Sequence, residues 1–235
     1  MQFYRRLAPF KAISFDLDDT LYHNYPVMMA TDAKMIAYFR RLLPRVTFDC
    51  DYRFWFQYRQ QALVNLPKLK HDVGALRFES YLLGLSALGF SADDAKKMAQ
   101  QALDYFIVQR SDFTVPDEVH HLLTQLQRHW PLIAISNGNV DTQSIGIHHY
   151  FSAIYHAGNG LKQKPASDMF QQACQQFNLL PEHLLHVGDC GANDVIGAIR
   201  HGCQTAWVST YDVGKPLRVL PTLALSDVTE LQRLI

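Results

Sequence analysis

Three carboxylates stand close together in Ala12-Ile-Ser-Phe-Asp16-Leu-Asp18-Asp19-Thr20-Leu-Tyr22, directly behind an apolar run. In open α/β sheets, sites form at the carboxyl ends of strands, so such a run aims Asp16, Asp18 and Asp19 at chemistry. Burying carboxylates there is unfavourable unless a cation compensates. The competing reading is an acidic turn that caps the next element. A second group lies in Leu184-Leu-His-Val-Gly188-Asp189-Cys-Gly191-Ala-Asn193-Asp194: again a strand, a glycine and a carboxylate, with Asp194 at an expected helix start. Hard divalent cations take such oxygen ligands, although Asp194 alone would also serve as an ordinary N-cap. Two weaker groups are Ile133-Ala-Ile-Ser136-Asn137-Gly138 and Lys162-Gln-Lys164-Pro165. A hydroxyl and an amide at a strand end hold phosphate oxygens, and a lysine before a helix neutralises charge. Ser-Asn-Gly is equally a routine turn, and an isolated lysine is usually a solvated surface group.

These residues need a scaffold, and the apolar pattern supplies one. Short runs at 12–17, 132–136, 153–157, 184–187, 205–208 and 223–225 predict buried strands. Between them the period changes. Pro116 suits a first helical turn, with Asp117 and Glu118 at the positive end of the dipole. Val119, Leu122, Leu123 and Leu126 follow at helical spacing until Pro131 stops the continuation. Further helices fit 165–177 and 194–201. Strands alternating with helices predict an α/β fold, a Rossmann-like parallel sheet covered on both faces. The stretch 22–112 differs: it reads as helices over 26–43, 51–65, 74–88 and 91–108, the last opened by the acidic capping-box variant Ser91-Ala-Asp-Asp94. A helical subdomain at 22–112 therefore interrupts a core built from 1–21 and 113–235, with hinges near 21–25 and 111–115.

The composition narrows the function. The chain has 235 residues, with 22 Lys+Arg against 22 Asp+Glu and 48% hydrophobic residues. A level charge removes the electrostatic argument for nucleic acid or an anionic membrane surface as partner. The four cysteines, Cys50, Cys174, Cys190 and Cys203, form no CxxC pair and read as reduced thiols. No apolar run is long enough to span a bilayer. Arg5 and Arg6 precede an apolar stretch, but Pro9 and Lys11 break it and it ends at Asp16, so it reads as an arm into the first strand. The expectation is a soluble cytoplasmic protein whose oligomeric state is open and compatible with a monomer. The pairs His120-His121 and His148-His149 lack a third ligand at metal spacing, and nothing beside Cys190 activates its thiol.

The order of the four groups is specific. Asp-x-Asp-x-Thr, a serine after a strand, Lys-Pro, and Gly-Asp-x4-Asp together resemble the haloacid dehalogenase-like superfamily over essentially the whole chain, and the helical insertion resembles that superfamily's mobile cap. The resemblance implies a phosphate monoester hydrolase that uses Mg²⁺ and an aspartyl-phosphate intermediate, with a small-molecule phosphate ester as partner. It assigns Asp16 as nucleophile, anionic at neutral pH with an ordinary pKa of about 3.9. It implies that Asp16, the main-chain carbonyl of Asp18 and Asp189 hold the metal, with Asp194 behind them. Lys164, Ser136 and Asn137 would hold the phosphoryl oxygens, and Asp18 would act as general acid and base.

Within the superfamily, Phe15-Asp-Leu-Asp-Asp-Thr-Leu-Tyr22, His71-Asp-Val-Gly-Ala-Leu-Arg77-Phe78 and Ser136-Asn-Gly-Asn139 resemble a bacterial branch. Its members dephosphorylate flavin mononucleotide and the ribitylaminouracil phosphate of riboflavin synthesis. The segment 22–112 holds 15 of the chain's 28 aromatic residues. Trp55, Phe56, Tyr81 and Phe106 sit at spacings that predict a helical core, and one or two further rings could stack on a flat leaving group. His71, Asp72 and Arg77 form a polar cluster, either a solvated loop or a contact for a ribityl chain or ring carbonyls. Sugar phosphates, nucleotides or pyridoxal phosphate are alternative substrates, and a phosphomutase would use the same residues. A haloacid dehalogenase lacks the second aspartate of the first motif and has no use for Mg²⁺. A non-catalytic phosphoacceptor, such as a receiver domain, or a flavin-binding module stands as the non-enzyme reading, although receiver domains are about half this length.

Overall fold

Parallel strands covered on both faces carry continuous apolar runs, and the strands of this protein do so. The computed structural model describes residues 1–211 and 213–235. Among them, β2 (Ala12–Phe15), β3 (Leu132–Ser136) and β5 (Leu184–Gly188) are buried at every position. With β4 (Ala153–His156), β6 (Gln204–Val208) and β7 (Leu223–Leu225) they form a parallel sheet. A two-residue strand, β1 (Gln2–Phe3), adds to the edge antiparallel to β7. The arm before the first buried strand thus contributes a pairing that its exposed residues did not announce.

The strand order is β1-β7-β6-β5-β2-β3-β4. The chain leaves β2 to one side through β3 and β4, then returns to build β5, β6 and β7 on the other. That places β2 at the point where the order reverses, the position at which crevices open outside the strand ends. Helices α6 (Asp168–Gln176) and α7 (Ile196–His201) cover one face through Met169, Phe170, Ala173 and Ala198. Helix α5 (Asp117–Leu126) buries Val119, Leu122, Leu123 and Leu126, the apolar stripe its spacing predicts. The sheet helices differ from the expected bounds at two places. Helix α6 opens at Asp168, not at Pro165. Ahead of α7, the wide π turn Gly191–Val195 forms the first turn.

The chain divides into two compact units. One comprises residues 1–24, 114–138 and 142–235; the other comprises 25–113 with 139–141. The second unit is helical: α1 (Asn24–Leu42), α2 (Tyr52–Asn65), α3 (Val73–Ala87) and α4 (Ala92–Arg110). Side chains cap three of these helix starts: Asp51 on α2, Asp72 on α3 and Ser91 on α4. Ser91 Oγ accepts from Asp94 N at 3.2 Å and donates to Asp94 Oδ2 at 2.7 Å, so the expected box forms through the hydroxyl and not through the Ser91 N–H. Phe39, Trp55, Tyr81 and Phe106 form the core of this unit. Phe56, expected beside them, is 42% exposed and rests against Tyr52, because only one face of α2 reaches the core. Among the described residues, no helix is long and apolar enough to cross a membrane, and all four cysteines are free and buried.

Helix α3 approaches α2 at Gly84, where an added Cβ would lie 2.6 Å from Trp55 Cζ3. The indole cannot retreat easily: Nε1 donates to Cys50 O at 2.9 Å, and the rings of Phe39 and Tyr81 lie within 4.8 Å of it. Gly84→Ala is therefore expected to destabilise. Overpacking costs about 1–3 kcal/mol, while the better helix propensity of alanine returns about 1 kcal/mol. A lower urea midpoint at unchanged m-value is the expected readout. An equal or higher midpoint would show that the ring has room to move.

Candidate active site

Asp16 follows the last residue of β2, Ser136 ends β3, and Asp189 follows Gly188 at the end of β5. Because β2 pairs with both β3 and β5, these three side chains converge above the reversal point. With Asp18, Asn137, Lys164 and Asp194 they line a cavity of about 290 Å³. All seven belong to the sheet unit. His71 and Arg77 belong to the helical unit, where the Arg77 guanidinium lies 3.5 Å over the Phe106 ring and 3.5 Å from Tyr81 Oη. Asp72, between them, N-caps α3.

Lys164 is 1% exposed and reaches in from the loop before α6. Its Nζ donates to Asp16 Oδ1 at 2.7 Å and to Ile135 O at 2.6 Å, and lies 2.7 Å from Asp194 Oδ1. Asn137 clamps the main chain of the same residue: its Oδ1 accepts from Lys164 N at 2.7 Å and its Nδ2 donates to Lys164 O at 3.0 Å. So Asn137 fixes the lysine, and Ser136 fixes the turn, its Oγ accepting from Gly138 N at 3.0 Å.

Asp194 is not the N-cap of a helix. Cys190 holds that position, its Sγ accepting from Asn193 N at 3.5 Å, while Asp194 lies inside the π turn with its carboxylate turned back. Its Oδ2 accepts from Cys190 N at 2.9 Å, and its Oδ1 lies 3.2 Å from His186 Nε2. A side chain at Gly188 would put Cβ 2.4 Å from Asp194 Cγ, so glycine is required for this close approach. Asp18 Oδ1 accepts from Tyr22 Oη at 2.6 Å. Asp189 is held at its carbonyl by Trp207 Nε1, at 2.6 Å.

The charges are strongly coupled. Burial raises the pKa of Asp16 well above the ordinary carboxylate value; Lys164 opposes this, and Asp194, Asp189 and Asp18 reinforce it by repulsion. Asp16 is therefore not the ordinary aspartate expected from its type. Burial, with repulsion from Asp194 and Asp19, pushes Asp189 up to about 7. Burial would raise Asp194 too, but Lys164 and then His186 hold it well below the usual range. For Lys164, burial is outweighed by Asp16 and Asp194, which raise its pKa.

One lysine cannot neutralise this group of carboxylates. Oxygens of Asp16, Asp189 and Asp194 lie within 4.8 Å of one another. Hard oxygen donors at a net negative site fit a divalent cation such as Mg²⁺. Among the described residues, no comparable group forms at the histidine pairs. His120 Nδ1 instead pairs with Tyr150 Oη at 3.1 Å, and His148 Nδ1 with Thr142 Oγ1 at 3.0 Å.

Sequence reasoning passed over several residues here. Tyr22, one turn after the first motif, is close enough to Asp18 to have been flagged by spacing. Ser14 and His186 lie inside strands, where polar residues at buried positions were the available signal. Val213, Gly214 and Lys215 also line the cavity, and no pattern in the sequence links them to it.

Comparison with known proteins adds an independent line. A model of the haloacid dehalogenase-like hydrolase family matches residues 10–202. The 5-amino-6-(5-phospho-D-ribitylamino)uracil phosphatase YigB of Escherichia coli (strain K12) is 36% identical over 243 residues, covering 100% of both chains. The N-acylneuraminate-9-phosphatase of Rattus norvegicus is 24% identical, covering 97% of this chain and 95% of its own. Among solved structures, the 2-haloacid dehalogenase from Pseudomonas syringae pv. Tomato DC3000 is similar, with a TM-score of 0.89 and 25% identity, over 95% of this chain and 97% of that one.

The raised Asp189 would make the binding of a cation at this cluster depend on pH. Below about 7 this carboxylate carries a proton that a cation must displace, so affinity falls as pH drops. Its folded pKa lies above the ordinary 3.8, so its ionisation disfavours the folded state as pH rises toward 7, and a bound dication offsets that loss. The rise in Tm on adding Mg²⁺ should therefore be larger at pH 8 than at pH 6. Asp189→Asn should abolish the difference. Equal shifts at both pH values in the wild type would contradict the assignment.

Proposed function

This chain belongs to the haloacid dehalogenase-like hydrolases and is a phosphatase, and from that premise we propose that it hydrolyses a small phosphate monoester with Mg²⁺ through an aspartyl-phosphate on Asp16. The observation that carries the reading is the Asp16 carboxylate held by the buried Lys164 ammonium at 2.7 Å, at the floor of an acidic cavity. Held among Asp16, the Asp18 carbonyl and Asp189, with Asp194 behind, Mg²⁺ would offset the repulsion between an anionic ester and an anionic nucleophile.

Lys164 fixes one oxygen of Asp16, which sets the plane in which the other meets phosphorus. A new bond forms from the Asp16 carboxylate to phosphorus as the bond to the ester oxygen breaks. Asp18 gives its proton to that leaving oxygen, oriented by the 2.6 Å hydrogen bond from Tyr22. Water then attacks phosphorus, gives a proton to Asp18, and releases inorganic phosphate and the Asp16 carboxylate. Lys164, the Ser136 hydroxyl and the main-chain N–H groups of its turn stabilise the oxygens of the transferred group.

The likeness to a haloacid dehalogenase raises a second reading, in which Asp16 attacks carbon. Three clustered carboxylates have no use in that reaction, and Asp18 with its tyrosine partner has no leaving oxygen to protonate.

For the leaving group we infer a planar heterocycle on a polyol chain: 5-amino-6-(5-phospho-D-ribitylamino)uracil or flavin mononucleotide. The full-length similarity to YigB and the aromatic-rich helical unit support it. His71 and Arg77 are the candidate contacts for ring carbonyls or ribityl hydroxyls.

Asp16→Asn is expected to stay folded, since it removes a buried repelled charge, and to lose at least a hundredfold in kcat, about 2.7 kcal/mol of barrier. Retention of more than about a hundredth of the activity would remove Asp16 as nucleophile. For the substrate, kcat/KM for the two heterocyclic phosphates should exceed that for simple sugar phosphates. A preference of about tenfold for the sugars, roughly 1.4 kcal/mol, would reject the leaving-group proposal and leave the mechanism intact.

A further inference from the structure

Behind the groups that face phosphate runs a buried polar chain. Ser14 on β2 and His186 on β5 are register partners, and both are shut off from solvent. Ser14 Oγ lies 2.9 Å from His186 Nδ1, and His186 Nε2 lies 3.2 Å from Asp194 Oδ1. The same Asp194 oxygen lies 2.7 Å from Lys164 Nζ, which donates at 2.7 Å to Asp16. Phe170 closes the other side of the imidazole edge-on, with ring centroids 4.8 Å apart.

The partners decide the tautomer. An Asp194 carboxylate paired with Lys164 only accepts, so Nε2 must carry a hydrogen toward it. The Nδ1 of a neutral ring then accepts from the Ser14 hydroxyl, which keeps the hydrogen on Nε2. Oδ1 of Asp194 thus accepts from both His186 and Lys164, and Oδ2 from the Cys190 amide. With the imidazole gone, one of these three donors is lost, and the apolar wall offers no replacement. The carboxylate would then rotate, and the Lys164 ammonium would follow its strongest partner.

We propose that His186, locked by Ser14, is a positioning residue for phosphoryl transfer: it sets the Asp194 carboxylate and, through it, the placement of Lys164 on the transferred group. This inference rests on the phosphatase reading above. A displacement of well under 1 Å in a charge that stabilises the transition state is enough to slow turnover.

The test compares His186→Leu, His186→Gln and Ser14→Ala with the wild type on p-nitrophenyl phosphate. The readouts are kcat, KM, the half-saturating Mg²⁺ concentration, Tm and inhibition by orthovanadate, which mimics the transferred group in flight. His186→Leu should lower kcat about tenfold and weaken orthovanadate by a similar factor, while KM stays within about twofold. Glutamine keeps an N–H at the reach of Nε2 and should restore most of the loss, and Ser14→Ala should show a smaller loss in the same direction. Unchanged kcat and orthovanadate inhibition in His186→Leu overturn the proposal. So does a parallel loss of kcat, KM, Mg²⁺ response and Tm that glutamine does not relieve, which would mark His186 as packing only. A wild type that turns over no phosphate ester would instead refute the phosphatase reading.

Discussion

A lysine ammonium has three N–H donors, and Lys164 buries all of them against oxygen: Asp16 Oδ1, Asp194 Oδ1 and the carbonyl of Ile135. A buried ammonium costs several kcal/mol unless it is fully paired. That demand shapes the rest of the site. The acceptors come from just beyond β2, from β3 and from the turn after β5, so one side chain ties together the carboxyl ends of three neighbouring strands. Asn137 holds its main chain from both sides, N–H and carbonyl. The lysine cannot leave without exposing two buried carboxylates to each other.

The same pairing leaves the site short of positive charge. Lys164 and His186 hold Asp194 ionised, and its charge adds repulsion to the burial that already raises Asp189 and Asp16. Lys164 is shared between Asp16 and Asp194, and burial still leaves Asp16 and Asp189 reluctant to ionise. A dication among these oxygens would favour the ionised form of both at once. Local geometry makes the crowding possible: a glycine at 188 and a wide turn over 191–195 let the Asp194 carboxylate fold back onto the end of β5.

The sheet was legible because buried parallel strands read as unbroken apolar runs; the six runs fall within two residues of β2 to β7. The edge strand was not, since Gln2 and Phe3 are both exposed and pair through the main chain alone. The convergence of Asp16, Ser136, Lys164 and Asp189 followed from the order of the four motifs and the family resemblance it carries. The direction of the Asp194 side chain did not, because spacing marks a helix start without saying whether its first turn is wide. Phe56 misled for a related reason: helical spacing places residues around an axis, and which stripe meets the core depends on the partner helices. Ser14 and His186 went unread because each alone is an ordinary strand residue, and only register across two strands brings them together.

The first motif shows how one acidic cluster contains both of its competing readings. Asp16 and Asp18 line the cavity, and so does Asp19 in part. Asp19 also sits at φ 58°, in the left-handed region that aspartate tolerates better than most residues. Its N–H donates to Tyr22 O at 2.8 Å, and its Oδ1 accepts from Asn24 N, the first residue of α1, at 2.9 Å. So the acidic turn that caps the next element is real, and it belongs to the third carboxylate. By reversing the chain there, Asp19 brings Tyr22 back alongside Asp18, where a short bridge and the 2.6 Å hydrogen bond fix its carboxylate. The structural carboxylate is thus what aims the proposed acid: without the turn at Asp19, the tyrosine that orients Asp18 would have no reason to face it.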